Sequence, residues 1–339
     1  MKIMILGGSG YIGSELTTYL LNKKIKLTII DRFFFNNEKV FRYSNKKAKI
    51  IKKDSRLLST KDFKDIDIII DLAALNISFE QDKNFDRLTY EINFLATIKN
   101  IKLAKLAGVK KYIYPSSCSV YGNQNKKICT EQTKKKPTSA YAKAKDKIEN
   151  EMFKLQSNNF RVYALRFPTV FGFSKKMRFD LIINGMVMDC IINKKINLLK
   201  DGSQKRPFIH IKDVCRAFYF FIKYKDSCNG PINIGNEENN ISLKKLSLLI
   251  FKTLETKRNI NWYGNKDNRS YFVSFDLIKT LGFKTQYNIE YGINEIKKKF
   301  FIKRLKIEKS FFSINWYKTI QLFESEIKHL KKYNGLIVI

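Results

Sequence analysis

The 339-residue sequence lacks a long hydrophobic run and a signal-like N-terminus. Apolar stretches such as FYFFI and LSLLIF end at lysines after a few residues, well short of the ~18 to 20 residues that a membrane span needs. The opening segment MKIMILGGSGYIG begins a strand at residue 2 and has no basic segment, long apolar stretch or cleavage site. We therefore expect a cytoplasmic protein that does not enter a membrane.

The chain has few cysteines, and their spacing in the sequence suggests no disulfide or metal-binding pairs. The chain has five of them, an odd number, and none forms a CxxC pair; they are Cys118, Cys129, Cys190, Cys215 and Cys228. This scatter argues against a disulfide framework and against a zinc site. We expect reduced, mostly buried thiols and no bound metal.

Acidic residues are scarce relative to basic ones, 31 against 65, which gives a formal net charge of +34. Such an excess of positive charge is typical of proteins that bind polyanions. Here, however, the lysines run through every segment and form no single patch with interleaved aromatic residues. Lys, Asn and Ile are enriched together, as a coding bias toward A and T would produce. We therefore expect no nucleic-acid partner.

Strand and helix patterns alternate over the first half of the chain, which predicts an α/β fold with a doubly wound parallel sheet. Beyond Gly172 the rhythm becomes irregular, and this change marks a smaller second domain. We divide the chain into a first domain over 1–172 and a second over 173–339, with segments of the second returning to the first. No Pro/Gly/Ser linker separates the two, so we expect a cleft between them. The last fifty residues look helical and lysine-rich, without readable chemistry.

A glycine-rich turn follows the first strand. Gly7, Gly10 and Gly13 form GxxGxxG, and Gly8 makes the same segment fit GxGxxG. Glycines there permit a tight turn, close approach of backbone N–H groups to a pyrophosphate, and helix–strand packing. Asp31, 18 residues past Gly13 at the end of the second strand, is suited to bind the adenosine ribose hydroxyls. Its carboxylate favours NAD as the cofactor, whereas the adjacent Arg32 leaves NADP open.

Tyr141 and Lys145 are four residues apart and share one face of a predicted helix. The same YxxxK spacing recurs in this lysine-rich chain, at Tyr19/Lys23, Tyr43/Lys47 and Tyr219/Lys223. Only the Tyr141 pair lies 24 residues after Ser117, in a helix that follows a serine-ended strand. A phenol has a pKa near 10, so a neighbouring ammonium and the positive ring of NAD would have to stabilise the phenolate for Tyr141 to act as a base.

These motifs resemble the extended short-chain dehydrogenase/reductase family, specifically its nucleotide-sugar epimerases and dehydratases. GGSGYIG, DLAA, EINFLAT, SSCSVYG, YAKAK, LRFPTVFG and RPFIHIKDV occur in the family's order over nearly the whole chain. The resemblance implies a Rossmann domain, a smaller C-terminal substrate domain and the catalytic set Ser117, Tyr141 and Lys145. It also implies structural roles for Ser116 and Ser119.

Two missing carboxylates bear on the reaction that the resemblance implies. The 4,6-dehydratases of the family carry Asp and Glu directly after the catalytic hydroxyl, where this chain has Cys118 and Ser119. Dehydration is therefore disfavoured, and a UDP-glucose 4-epimerase-like reaction on a nucleotide-activated hexose is favoured, for surface polysaccharide synthesis. Two alternatives stay open: a 4-ketoreductase of a deoxysugar pathway that consumes NADPH, and a non-catalytic dinucleotide-binding scaffold or RNA-associated relative.

The resemblance also implies further contacts and a homodimer, paired through helices over 93–107 and 140–156. Besides the glycines, Asp31 and Arg32, the implied cofactor contacts are Tyr11, Ile12, Asp54, Ser55, Leu72, Ala73, Ala74, Asn93, Tyr141, Lys145 and Pro168. The implied substrate contacts are Ser117, Thr169, Arg206 and Arg269. His210 is expected to be structural, and Thr169, where the epimerases often have Asn, leaves the sugar open.

Overall fold

The structure, a computed structural model, describes residues 1–35, 37–76, 83–124, 128–264, 270–302 and 305–332. The strands there are β1 (Lys2–Leu6), β2 (Lys26–Asp31), β3 (Lys49–Lys52), β4 (Ile68–Asp71), β5 (Lys111–Ser117), β6 (Ile128–Cys129), β7 (Arg161–Phe167), β8 (Thr169–Phe171), β9 (Ile196–Leu199), β10 (Lys205–His210), β11 (Ile232–Asn233), β12 (Asn240–Ser242), β13 (Ile260–Tyr263) and β14 (Phe272–Val273). The helices are α1 (Tyr11–Asn22), α2 (Glu38–Ser44), α3 (Lys83–Tyr90), α4 (Thr97–Leu106), α5 (Ala140–Lys154), α6 (Ile182–Asn193), α7 (Ile211–Lys223), α8 (Leu243–Leu254), α9 (Asp276–Thr280), α10 (Ile289–Phe301) and α11 (Ser313–Lys332).

A seven-stranded parallel sheet forms the centre of the molecule, in the order β11-β7-β5-β4-β1-β2-β3. The order reverses at β1, which lies between β4 and β2, so the loops after these strands splay apart there. In open parallel sheets, ligands bind at this switch point, outside the carboxyl ends of the strands. The predicted Rossmann-like α/β fold is confirmed.

Helices cover both faces of the sheet because the strands are apolar on both sides. Ile3 and Ile5 of β1 pack in one core with residues of α1 and α7. Met4 and Leu6, which alternate with them, pack in a second core with residues of α4 and α5. Because both faces of these strands are buried, their sequences are continuous apolar runs.

The later part of the chain builds a second, smaller layer. A three-stranded sheet, β12-β10-β8, and a two-stranded sheet, β13-β9, pack with α6, α8 and α10 around their own core. Two elements beyond residue 172 lie in the large sheet layer instead: β11 pairs with β7, and α7 packs on the sheet. We retain the division at residue 172, with returning segments, as a proposal.

The helix predicted over the EINFLATIKNIKLAKLAG segment has a more complex form. It begins at Lys83 as α3, continues through a π-helical turn at Glu91–Ala96 and ends as α4. Turns of this kind are frequent at functional sites. Among the residues that the structure describes, no helix is long and apolar enough to cross a membrane.

Candidate active site

A cavity of about 890 Å³ lies at the carboxyl ends of β1, β4, β5 and β7 and extends under the second layer. One wall carries the glycine turn, Ser117, Tyr141 and Lys145. The facing wall carries residues of the second layer, among them Arg206 and Met186. The motif residues that the sequence singled out therefore meet in one place.

The glycine turn between β1 and α1 cannot carry side chains at two of its positions. Gly7 has φ +75°, and a Cβ there would lie 2.7 Å from the Ala73 nitrogen. A Cβ on Gly13 would lie 2.4 Å from the Gly7 oxygen. Gly10 caps the N-terminus of α1, and Gly7, Gly10 and Gly13 all line the cavity with Tyr11 and Ile12. Exposed backbone N–H groups at a helix N-terminus suit the pyrophosphate of a dinucleotide.

Asp31 is the last residue of β2, and its side chain holds the backbone of the glycine turn. Its carboxylate accepts hydrogen bonds from the Ser9 nitrogen at 2.9 Å and the Phe33 nitrogen at 2.7 Å. Burial raises the pKa of Asp31. Arg32 points to Asp54, 3.4 Å away, and lies 4.9 Å from the Phe34 ring centroid. The glycine cradle and this carboxylate together fit an NAD molecule.

Six predicted cofactor residues lie outside the cavity wall: Asp31, Arg32, Asp54, Ser55, Ala73 and Asn93. Asp54 accepts hydrogen bonds from the Arg56 guanidinium at 2.8 and 3.1 Å. The Ser55 carbonyl accepts from the Asn100 amide at 3.1 Å. The Asn93 amide exchanges two hydrogen bonds with the Leu75 backbone, at 2.7 and 2.8 Å. Asn93 thus fixes the loop after β4 rather than facing the cavity.

The loop after β4 approaches the glycine turn closely. Leu72 and Ala74 line the cavity. The Ala73 nitrogen donates to Asp71 at 3.1 Å and lies against the backbone of Gly7. Tyr11 lines the cavity as predicted, and its hydroxyl also donates to the Gly172 carbonyl at 2.7 Å. Tyr11 therefore ties α1 to the chain that leads into the second layer.

Ser117, Tyr141 and Lys145 come together because a strand end and a helix start meet at the sheet edge. Ser117 ends β5, and Tyr141 and Lys145 lie on the first turns of α5. The Ser139 hydroxyl caps that helix by accepting from the Ala142 nitrogen at 3.2 Å. The Lys145 Nζ donates to the Pro115 carbonyl at 2.6 Å and lies 5.4 Å from the centroid of the Tyr141 ring.

Burial dominates the electrostatics of this set. It raises the pKa of Tyr141 to about 12, while the charge of Arg178 and a hydrogen bond with Ser117 act in the opposite direction. Burial also lowers the pKa of Lys145 to about 7, against the charges of Asp71 and Glu149. The expectation that Lys145 and the positive ring of NAD together stabilise the phenolate stays a prediction. Arg178 is a further cation, not foreseen from the sequence, that lowers the pKa of Tyr141.

The three serines of SSCSVYG face different partners. Ser116 donates to Glu149 at 2.5 Å, and Glu149 is held by two hydrogen bonds from Arg166, at 2.8 and 2.7 Å. The Ser117 hydroxyl accepts from the Ser119 nitrogen at 3.1 Å. The Ser119 hydroxyl is buried and has no hydrogen-bond partner in the described part of the chain. Ser116 thus belongs to a buried ion-pair network, whereas Ser117 lies beside Tyr141.

Cys118 cannot serve as an acid or base in place of the dehydratase carboxylate. Its thiol is 1% exposed and contacts the Arg166 carbonyl at 3.4 Å. Burial raises its pKa well above the usual value for cysteine. The group stays neutral at physiological pH.

Thr169, a predicted substrate residue, lines the cavity at the start of β8, and Pro168, a predicted cofactor residue, lines it directly before that strand. Arg206 on β10 lines it too, with its guanidinium carbon 5.8 Å from the Tyr271 ring centroid. Arg269 lies outside the described residues. His210 is fully buried against Glu295, at 3.2 Å, which fits a structural role.

Sequence reasoning missed several cavity residues. Arg178 lines the cavity and forms a two-point ion pair with Asp180, at 3.0 and 2.7 Å. Lys176, Ser313 and Tyr317 also line it. Nothing in the local sequence distinguishes these two cations among 65 basic residues, and α11 gave no chemical signal.

Comparisons with known proteins show the family to which this chain belongs. The model of the "NAD dependent epimerase/dehydratase family" matches residues 3–235. A dTDP-D-glucose 4,6-dehydratase of Dictyostelium discoideum is 29% identical over 356 residues, covering 87% of this chain and 80% of the relative. The uncharacterized UDP-glucose epimerase YtcB of Bacillus subtilis strain 168 is 26% identical over 262 residues, covering 74% and 81%.

Among solved structures, the UDP-glucuronic acid 4-epimerase of Bacillus cereus, in complex with UDP-glucuronic acid and NAD, superposes with a TM-score of 0.79. It is 23% identical, and the match covers 90% of this chain and all of that one. This likeness shows the shared fold. Together with the family match over most of its length, it leads to the conclusion that this chain is an enzyme of the NAD-dependent epimerase/dehydratase family and uses NAD as its cofactor.

Proposed function

We propose that the enzyme is a 4-epimerase of a nucleotide-activated hexose, with a UDP-hexose as substrate and a 4-keto sugar as intermediate. The observation that carries this proposal is the cavity wall that holds Ser117, Tyr141 and Lys145 but has Cys118 and Ser119 where a dehydratase needs carboxylates. Removal of water requires an acid and a base beyond the tyrosine. A thiol whose pKa is raised by burial is a weak proton donor and is not deprotonated to act as a base.

In this proposal Tyr141 is the proton-transfer group. It accepts the proton of the sugar hydroxyl and later gives it back, while the Ser117 hydroxyl holds the same sugar oxygen by a hydrogen bond. Bound NAD supplies a hydride acceptor and a positive ring. The Arg178 charge adds to the stabilisation of the phenolate, since it already opposes the effect of burial on the pKa of Tyr141.

The second layer would hold the nucleotide. Arg206 presents a planar, permanently charged guanidinium, which suits the two-point recognition of a diphosphate. Thr169 lies at the start of β8, nearer the catalytic wall, and we assign it to the sugar. Arg269 remains a second candidate for the diphosphate, outside the described residues.

The test is a redox balance. Purified enzyme with catalytic NAD should convert UDP-glucose, UDP-glucuronic acid or UDP-N-acetylglucosamine to its C4 epimer without net NADH. Chromatography of the sugar nucleotides measures their conversion, and absorbance at the NADH band measures whether any net NADH forms. One NADPH consumed per sugar, with no epimer of any UDP-hexose, would instead establish the ketoreductase.

We further propose a cytoplasmic homodimer that serves surface polysaccharide synthesis. The family resemblance supports pairing through the helices over 93–107 and 140–156, and two apolar side chains of the first of these, Leu95 and Leu106, are 46% and 77% exposed. Such residues are buried when equivalent helices pair about a two-fold axis. A monomer by light scattering at micromolar concentration would contradict the assembly.

A further inference from the structure

The segment over 305–332, here called the C-terminal segment, docks on both layers of the molecule. The Phe179 nitrogen donates to the Phe311 carbonyl at 2.9 Å, and the rings of Phe311 and Phe312 lie 6.0 and 6.1 Å from that of Phe179. The Trp316 indole donates to the Phe34 carbonyl at 2.9 Å. The segment therefore runs from the second layer onto the loop after β2.

Tyr317 bridges the two loops that flank the glycine turn. Its ring stacks on Phe34 with centroids 5.2 Å apart and lies 5.6 Å from Phe35, in the loop after β2. It also packs against Leu75 and Phe85, beyond β4. Because β1 lies between β2 and β4, a side chain that joins these loops closes over the turn at the end of β1.

Lys176 brings a buried cation to the same place. It is 3% exposed, and its Nζ donates to the Ser310 carbonyl at 2.5 Å and the Met177 carbonyl at 3.2 Å, with the Ser313 hydroxyl at 3.5 Å. No carboxylate of the described residues lies within 4 Å of it, although Asp180 and Glu308 act at longer range. Burial accordingly lowers the pKa of Lys176 to about 7. A buried ammonium without a counterion is costly, and a bound anion would relieve that cost.

The position of Lys176 indicates which anion would bind beside it. The Ser174 hydroxyl donates to the Tyr11 carbonyl at 2.8 Å, so the chain leading to Lys176 is fastened to the first turn of α1. Lys176, Ser313 and Tyr317 line the cavity that Gly7, Gly10 and Gly13 also line. A helix N-terminus on one side and an ammonium on the other are suited to a diphosphate between them.

We propose that the C-terminal segment is part of the dinucleotide site. Lys176 and Ser313 contact the pyrophosphate of NAD, and Tyr317 closes the cleft so that NAD is retained between turnovers. The inference concerns the cofactor alone, so it holds whether the enzyme epimerises or reduces its sugar.

The test measures the rate at which bound, radiolabelled NAD exchanges with excess unlabelled NAD, with no sugar nucleotide present. Tyr317→Ala removes the ring that packs on Phe34 and Phe35 and should exchange about 10-fold faster or more, because the cleft is no longer closed. Lys176→Met should exchange about 10-fold faster or more, because a charged contact is lost. Phe323→Ala changes a residue of the same helix that is 63% exposed and should leave the rate within about twofold.

Two results would overturn the proposal. One is exchange at the unmodified rate in both Tyr317→Ala and Lys176→Met. The other is a Lys176→Met variant that binds UDP more weakly by calorimetry but exchanges NAD normally, which would assign the lysine to the substrate diphosphate. Circular dichroism of each variant checks that it is folded.

Discussion

The two walls of the cavity are built in different ways. The first wall, with the glycine turn, Ser117 and Tyr141, consists of strand ends and helix starts of one parallel sheet. The second wall, with Lys176, Arg206 and Tyr317, comes from irregular chain, a small sheet and a distant helix. We infer that the first wall carries the chemistry and the second wall carries recognition. Variants of the first wall should therefore lower kcat, and variants of the second should change binding.

Tyr141→Phe should have the largest effect. It keeps the ring and removes the phenol, so we expect kcat to fall by about 10³-fold or more while NAD stays bound, as for loss of a general acid–base group. Tyr43→Phe is the matched control, since Tyr43 shares the YxxxK spacing but is 75% exposed. If Tyr141→Phe turned over at nearly the unmodified rate, Tyr141 would not be the proton-transfer group, and the first wall would not carry the chemistry.

Lys145→Met should shift the pH dependence of kcat. The Lys145 Nζ lies 5.4 Å from the Tyr141 ring centroid, so in the NAD-bound enzyme the loss of its charge should raise the pKa of Tyr141, and less phenolate should form at a given pH. The acid limb of the profile should therefore move to higher pH, and activity at pH 7 should fall more than at pH 9. Lys145→Arg keeps the charge and serves as the control. An unchanged acid limb in Lys145→Met would show that the lysine only positions the chain at Pro115.

Arg206→Lys tests the second wall. A lysine keeps the charge but loses the planar two-point contact, so we expect KM for the sugar nucleotide to rise about 10-fold with kcat little changed. Arg258→Lys, at an exposed position, is the control. A fall in kcat with KM unchanged would mean that Arg206 acts in the chemical step, which would break the division between the walls.

Asp31→Ala should have the smallest effect of the four on the sugar reaction. It removes both a ribose contact and the repulsion of a 2′-phosphate, so the preference for NAD over NADP should shrink by several-fold in fluorescence titrations. Asp31→Asn controls for size, since the carboxylate also holds the Ser9 and Phe33 nitrogens. Tighter binding of NADP than NAD by the unmodified enzyme would reverse the assignment.

Much of the first wall could be predicted because its residues act through local backbone geometry. The turn needs glycine at Gly7 and Gly13 whatever the rest of the chain does. A four-residue spacing places Tyr141 and Lys145 on the same face of any α-helix. Asn93 shows the limit: its motif was readable, but its amide pairs with the Leu75 backbone, a contact that depends on how the π-helical turn packs.

The sequence by itself determined the alternation of strands and helices, the glycine turn and the positions of Ser117 and Tyr141, since each depends on residues near one another in the chain. Only the tertiary structure decided that burial lowers the pKa of Lys145, that Arg178 lowers the pKa of Tyr141, and that α11 lies over the loops beside the glycine turn. Burial and long-range contacts set these properties, as in the hydrogen bond between Trp316 and Phe34, which are 282 residues apart. No local sequence pattern predicts a contact between residues so far apart in the chain.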